Sequence, residues 1–229
     1  MLFAVDTSTA QIGLALYDGA QVVAESIWTS RARHTVELAP AFAEMLAHTS
    51  VKVDEIQALG VALGPGSFTS LRVGLAFVKG LAFSRNLPIV GINTLSVVAA
   101  SQPPSGLPLA CLLPAGRGRL ALGWFHPAEL GQGHAQNNGW QPLGNPSVVS
   151  AEALSAAIEQ DAVICGDLTP SERQILQKNP HIRLVSPALG ARRPGLLAEL
   201  AYARWQAGQT DNLATLAPIY LHIGEPIKA

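Results

Sequence analysis

Leu63-Gly64-Pro65-Gly66-Ser67-Phe68-Thr69-Ser70-Leu71-Arg72-Val73-Gly74 closes one apolar run and opens another, and its reading decides the fold. Two glycines around a proline specify a tight turn, because glycine admits positive φ and proline fixes its own. Ser67 or Thr69 then supplies an N-cap for a helix. From Leu71 to Phe83 that helix is apolar on nearly every side, interrupted only by Arg72, Lys79 and the small residues Gly74, Ala76, Gly80 and Ala82. A helix apolar all round has to be buried all round. In so short a chain, the expectation is that another protein covers one of its faces.

Other readings of the turn are weaker. A Walker-type loop needs Gly-x-x-x-x-Gly-Lys-Ser/Thr, and no lysine stands where it would have to reach the outer phosphates. A dinucleotide fingerprint needs a third glycine where Thr69 stands. A strand-to-helix turn whose glycines only permit close packing stays open from the loop alone.

Working outward, Leu2 to Val5, Ile12 to Tyr17 and Gln21 to Trp28 read as strands, the last two joined by a tight hairpin at Asp18-Gly19. Leu38, Phe42, Met45 and Leu46 recur at helical spacing, and Pro40 is expected to shift the first regular turn past itself. Ile56 to Leu63 is a strand into the turn, Ile89 to Ile92 another, and Thr94 to Ala100 a short helix. Ser101-Gln102-Pro103-Pro104-Ser105-Gly106 marks a boundary. Beyond it, strands are expected at Leu109 to Leu113 and Leu120 to Phe125, mostly loop from His126 to Pro146, then helix, strand, helix and helix at Ala151 to Ile158, Ala162 to Cys165, Ser171 to Gln177 and Leu196 to Gln206. No repeat of solenoid length is visible.

Composition narrows the function. Of the 229 residues 48% are hydrophobic and only 14% charged, fewer than the roughly 25% usual in globular domains, which favours a permanent partner. The formal net charge of −1 gives no field with which to gather nucleic acid unaided. The N-terminus reads as a first strand and not a signal peptide, and the greasy helix is too short and too charged to cross a bilayer, so a cytoplasmic protein without membrane contact is expected. Cys111 and Cys165, far apart and without a partner pattern, read as buried reduced thiols. None of His34, His48, His126, His134, His181 and His222 pairs at helical spacing, so no metal site is expected. Ser67 lacks the nucleophile-elbow context, so no catalytic residue is assigned.

Asp6-Thr7-Ser8-Thr9 follows the first strand. A carboxylate there can hold magnesium while hydroxyls and amides hold phosphate oxygens; equally, Asp6 can satisfy the turn's own amides. At this point the residues carry a resemblance. Phe3 to Thr9, Arg33-His34-Thr35, the Gly64 to Thr69 block with Leu71-Arg72-Val73-Gly74, and Gly91-Ile92-Asn93-Thr94-Leu95 look like the bacterial TsaB (YeaZ) family. Pro218-Ile219-Tyr220-Leu221 resembles its closing motif, with His222 where an arginine is usual; between these ends the match is loose.

The resemblance implies an α/β, two-lobed actin-like ATPase (ASKHA, RNase H-like) fold. Residues 1–100 would form the first lobe, completed by 207–229, and 101–206 a smaller, divergent second lobe. It implies a non-catalytic scaffold or activator that pairs with TsaD, the enzyme that threonylcarbamoylates adenosine beside the anticodon of tRNA. TsaE joins as an ATPase through the complex, TsaC-type enzymes make the activated intermediate, and tRNA is reached only indirectly. Pairing, with TsaD or as a homodimer, would use first-lobe helices; His34, Phe68, Leu71, Arg72, Gly74, Leu75 and Val78 are the interface candidates. Asp6, Thr7, Ser8 and Thr9 would form a vestigial nucleotide loop, for which ATP or ADP with magnesium is the ligand. Where relatives carry Asp-Ala-Arg and a glycine, this chain has Pro114-Ala115-Gly116-Arg117-Gly118, which is expected to leave Asp6 without an opposing group. The alternative reading is a small actin-fold ATPase or phosphotransferase using Asp6.

Overall fold

Leu2–Asp6 (β1) is apolar up to its terminal carboxylate and buried throughout, because it runs through the middle of a sheet covered on both faces. The computed structural model describes residues 1–31, 33–128 and 139–221. His134, His222, the 129–138 part of the expected loop and the closing 222–229 of the first lobe lie outside the described residues.

Gln11–Tyr17 (β2) and Val22–Thr29 (β3) continue from β1 as an antiparallel meander. Its turn forms as expected: Gly19 takes φ 102°, and Asp18 Oδ1 accepts from the amides of Ala20 and Gln21 at 2.8 Å. Ala58–Ala62 (β4) and Ile89–Ile92 (β5) add in parallel on the other side of β1, giving the order β3-β2-β1-β4-β5. The second sheet comprises Leu109–Pro114 (β6), Leu120–Pro127 (β7), Trp140–Val149 (β8), Ala162–Gly166 (β9) and Ile182–Leu184 (β10), in the order β10-β9-β6-β7-β8. Read from β8, that is the first sheet's order again, with antiparallel pairs on one side and parallel pairs on the other. This duplicated α/β architecture is the actin-like fold.

His34–Thr49 (α1) and Phe68–Arg85 (α2) cover one face of the first sheet, where Phe3 and Val5 meet Leu38, Phe42, Leu75 and Val78. Thr94–Ala100 (α3) crosses between the sheets, while Ala151–Ala157 (α4) and Pro170–Leu176 (α5) pack on the far face of the second. Pro194–Gln206 (α6) returns to the other face of the first sheet, where small residues let it come close: a Cβ on Gly60 would lie 2.9 Å from the Ala201 methyl. The first lobe therefore takes α6, which the sequence reading had left in the second.

Two further expectations are corrected. Of the expected loop, His126 and Pro127 end β7 and residues 140–146 belong to β8; β8 is an edge strand, so Pro142 and Pro146 need not donate to a neighbour on the open side. The helix expected to begin past Pro40 begins at His34 and keeps Pro40 inside, with the ring on its exposed side. Within the chain itself α3 is enclosed on every side, only Ser96 reaching partly to the surface; Leu95, Val98 and Ala99 face the second sheet, and Val97 and Ala100 the first-lobe core. In α2, Ser70, Leu71, Gly74, Leu75, Val78 and Ala82 are buried, but Phe68, Thr69, Arg72, Ala76, Gly80 and Phe83 are exposed. Among the described residues no helix is long and apolar enough to cross a membrane.

Candidate functional site

The loop from β1 to β2 lies where the Gly64–Gly74 segment presses against it, and glycine is what allows the approach. A Cβ on Gly66 would stand 2.1 Å from the Ser8 carbonyl oxygen, and one on Gly74 2.2 Å from Thr7 Oγ1. The Ser67 amide donates to that Ser8 oxygen at 2.7 Å, and Thr7 Oγ1 donates to the Ser70 carbonyl at 2.7 Å. Ser8 Oγ lies 2.8 Å from Thr94 Oγ1, which also accepts from the Gly64 amide at 2.9 Å. Ser67 caps α2, its side chain accepting from the Ser70 amide. The turn thus serves as a buttress for the loop, and the loop's hydroxyls are spent on holding it. Asp6 satisfies the turn in the way the plainer reading described, Oδ1 accepting from the Ser8 amide at 2.8 Å.

The other oxygen of Asp6 meets a residue that sequence reasoning missed. Arg192, in the segment leading into α6, donates from Nε to Asp6 Oδ2 at 2.9 Å and from a terminal nitrogen to Thr9 Oγ1 at 2.8 Å. Its remaining nitrogen pairs with Asp167, which follows β9 in the second lobe. The Arg192 and Asp6 side chains are 3% and 4% exposed. Burial alone would lower the Arg192 guanidinium, but the Asp6 and Asp167 carboxylates outweigh it and hold it above its ordinary value. A permanently charged arginine therefore sits between the carboxylates.

Asp6 does have an opposing carboxylate, contrary to expectation. It is Asp167 and not a residue of the Pro114–Gly118 segment, which closes a tight hairpin in which the Ala115 amide donates to the Arg119 carbonyl and the Arg119 amide to the Gly116 carbonyl. The only sequence signals were a carboxylate just past a strand and an Arg192-Arg193 pair before a helix in a sparsely charged chain. These residues do not fit magnesium and a nucleotide: the guanidinium already fills the space between the carboxylates, and Thr7, Ser8 and Thr9 are committed to protein partners. Among the described residues no three His, Cys, Asp or Glu side chains gather as a metal centre. Above this Arg192 latch, which ties Asp6 and Thr9 to Asp167, a cleft of about 760 Å³ opens between Thr9, Ser67 and Phe68 on one lip and Ala115, Asp167 and Arg173 on the other.

The interface candidates divide by direction. Leu71, Leu75 and Val78 face the chain's own core, Gly74 abuts Thr7, and the buried His34 ring lies with Nε2 3.0 Å from the Thr9 carbonyl oxygen. Phe68 and Arg72 remain outside. The Arg72 guanidinium lies 3.6 Å over the Phe68 ring, and its Nε donates to the Tyr220 hydroxyl at 3.1 Å. Beside them Val73, Ala76 and Phe77 of α2, with Thr35, Leu38 and Ala39 of α1, line an apolar groove of about 470 Å³. Phe83, 82% exposed, and Val36, 56% exposed, extend the apolar surface of the two helices.

Comparison with known proteins agrees with this architecture. The family model described as "TsaD: tRNA N6-adenosine threonylcarbamoyltransferase" matches residues 21–179, more than half of the chain. A Bacillus subtilis (strain 168) protein named "tRNA threonylcarbamoyladenosine biosynthesis protein TsaB" is 31% identical over 124 residues, 54% of this chain and 54% of that protein. A Haemophilus influenzae protein of the same name is 36% identical over 99 residues, 43% of this chain and 41% of that protein. The chain spans about half the length of the curated relatives it matches. The solved structure "YeaZ from Pseudomonas aeruginosa" shares the fold at 21% identity, with a TM-score of 0.76 over 96% of this chain and 99% of that one. The chain belongs to the family that the matching model describes, that of the tRNA N6-adenosine threonylcarbamoyltransferases.

Proposed function

We propose that this chain is a non-catalytic, TsaB-like subunit that pairs with a TsaD-like paralogue, the paralogue transferring the threonylcarbamoyl group to adenosine beside the anticodon of tRNA. The observation that carries the reading is Arg192, which holds Asp6, Thr9 and Asp167 together. An actin-fold ATPase needs its first carboxylate free to meet a metal, and this one is already neutralised. ATP or ADP with magnesium therefore has no part in the reading.

The exposed apolar groove between α1 and α2 supports a protein partner on that side, through Phe68, Arg72, Val73, Ala76 and Phe77. A second copy of the chain would compete for the same groove. A net charge of −1 supports tRNA being held by the assembly and not by this subunit, with a TsaE-like ATPase joining through the paralogue, in the cytoplasm.

The test has two parts. The purified chain mixed with its cognate TsaD-like paralogue is expected to co-elute on size exclusion, and tRNA from cells lacking the gene to lose threonylcarbamoyladenosine on mass spectrometry. Normal levels of the modified nucleoside would overturn the assignment. The competing reading, an ATPase or phosphotransferase acting through Asp6, requires magnesium-dependent turnover by the isolated chain that Asp6→Asn abolishes. Calorimetry with ATP and magnesium is expected to show no binding heat.

A further inference from the structure

Two cysteines separated by 54 residues in the chain become neighbours in the second sheet. Cys111 of β6 and Cys165 of β9 are register partners on adjacent parallel strands, and their side chains share one face, in the core with Leu109, Leu113, Phe125 and Trp140. Their sulfurs lie 3.7 Å apart, and both are free thiols. Directly registered strand residues have Cα atoms near 5 Å apart, within the span a disulfide bridges, so closing the gap needs side-chain rotation more than backbone movement.

We infer that Cys111 and Cys165 are an oxidisable pair, a site at which a small peroxide converts two thiols into one disulfide across β6 and β9. One sulfur is oxidised by hydrogen peroxide to a sulfenic acid with release of water. The other sulfur then attacks it; the S–S bond forms, hydroxide leaves, and the proton of the attacking thiol makes that a second water. Two electrons pass from the sulfurs to the peroxide. The partner held at 3.7 Å intercepts the sulfenic acid before further oxygen adds.

The surroundings set the pace. Burial, then the neighbouring Cys165, raises the Cys111 thiol, so little thiolate is present and oxidation is slow. The same burial shields the disulfide from thiol reductants, which makes the modification persistent once formed. It also lies beside the latch. The residue after Cys165, Gly166, takes φ 132° so close to β6 that a Cβ would fall 1.9 Å from the Leu112 oxygen, and Asp167 follows, its amide bonded to that oxygen at 3.1 Å. A bond between β6 and β9 therefore stiffens the strand end that presents Asp167 to Arg192.

The native full chain, dosed with hydrogen peroxide, denatured and alkylated, is expected to lose both alkylatable thiols together. Its mass should fall by the two hydrogens, with Cys111 and Cys165 peptides joined until dithiothreitol is added and the chain monomeric on a non-reducing gel. Cys111→Ala and Cys165→Ala, each leaving one cysteine, should abolish the cross-link and accumulate oxygen on the survivor. Two thiols that stay alkylatable at every dose, oxygen added separately to each in the unaltered chain, or a disulfide between chains would each overturn the proposal. Hydrogen exchange at the Asp167 amide should slow on oxidation, and an unchanged rate would overturn the coupling to the latch.

Discussion

Arg192 joins groups that neither lobe could leave buried alone. With Asp6 4% exposed, removing the guanidinium strands its carboxylate in a low-dielectric site, and breaking a buried pair from one side costs about 3–5 kcal/mol. Arg192→Met is expected to lower stability by that amount in urea denaturation, and Arg192→Lys to recover only part, because an ammonium cannot reproduce the planar fork to Asp6, Thr9 and Asp167. A Met variant as stable as the parent would refute the latch. A second residue tests the field beside α6. Burial, then the Glu25 carboxylate, raises the Glu199 carboxyl, so the folded chain binds that proton more tightly than the unfolded one. The stability this confers is present below the ordinary glutamate range and lost as pH rises through the raised folded value, which makes the charged form a cost near neutrality. Glu199→Gln should therefore raise Tm at pH 7 by at most about 2 °C, water screening so exposed a group, and leave it unchanged below pH 4. Asp6 to Thr9 could be read directly because strand, carboxylate and hydroxyls are contiguous. Arg192 could not, since its bond to Asp6 spans 186 residues and no local pattern encodes it.

Among the elements, composition announced burial but not its direction. The α2 sequence is apolar around its circumference, and the structure spends half of that on the first-lobe core and leaves Val73, Ala76 and Phe77 along the groove toward α1. In α3 a run of similar residues is enclosed on every side, because it lies between the two sheets and not on the outside of one. Periodicity cannot tell these cases apart; packing partners far along the chain decide. The distinction separates two kinds of substitution. Leu75→Glu or Val78→Glu buries an unpaired charge in the subunit's own core and is expected to unfold it, so loss of pairing there would say nothing about an interface. Ala76→Glu places the charge on the exposed side, where the melt followed by circular dichroism should be unchanged while affinity for the proposed TsaD-like partner falls at least about tenfold, or about 1.4 kcal/mol. Wild-type pairing by Ala76→Glu would remove this face from consideration. β8 shows another limit of local reading: Pro142 and Pro146 speak against a strand until its place at a sheet edge is known.

At the scale of the molecule, two sheets of repeated topology are joined by α3, which puts Leu95 into the second-sheet core and Val97 into the first. Arg192 ties their strand ends together at the cleft. Neither sheet can lose its packing without exposing part of α3 and breaking the ion pairs, so the lobes should unfold as one unit despite having separate cores. Calorimetry of the isolated chain is expected to give a single transition with a calorimetric-to-van't Hoff enthalpy ratio near one. Leu95→Ala, a truncation in a fully packed site, should cost about 2–5 kcal/mol and move the whole transition down by about 10 °C. Were the lobes independent, the same substitution would lower only the second-lobe transition and split the endotherm in two. A hinge able to open and close on a nucleotide would favour that outcome, whereas a rigid body offering one apolar groove to a partner requires the first.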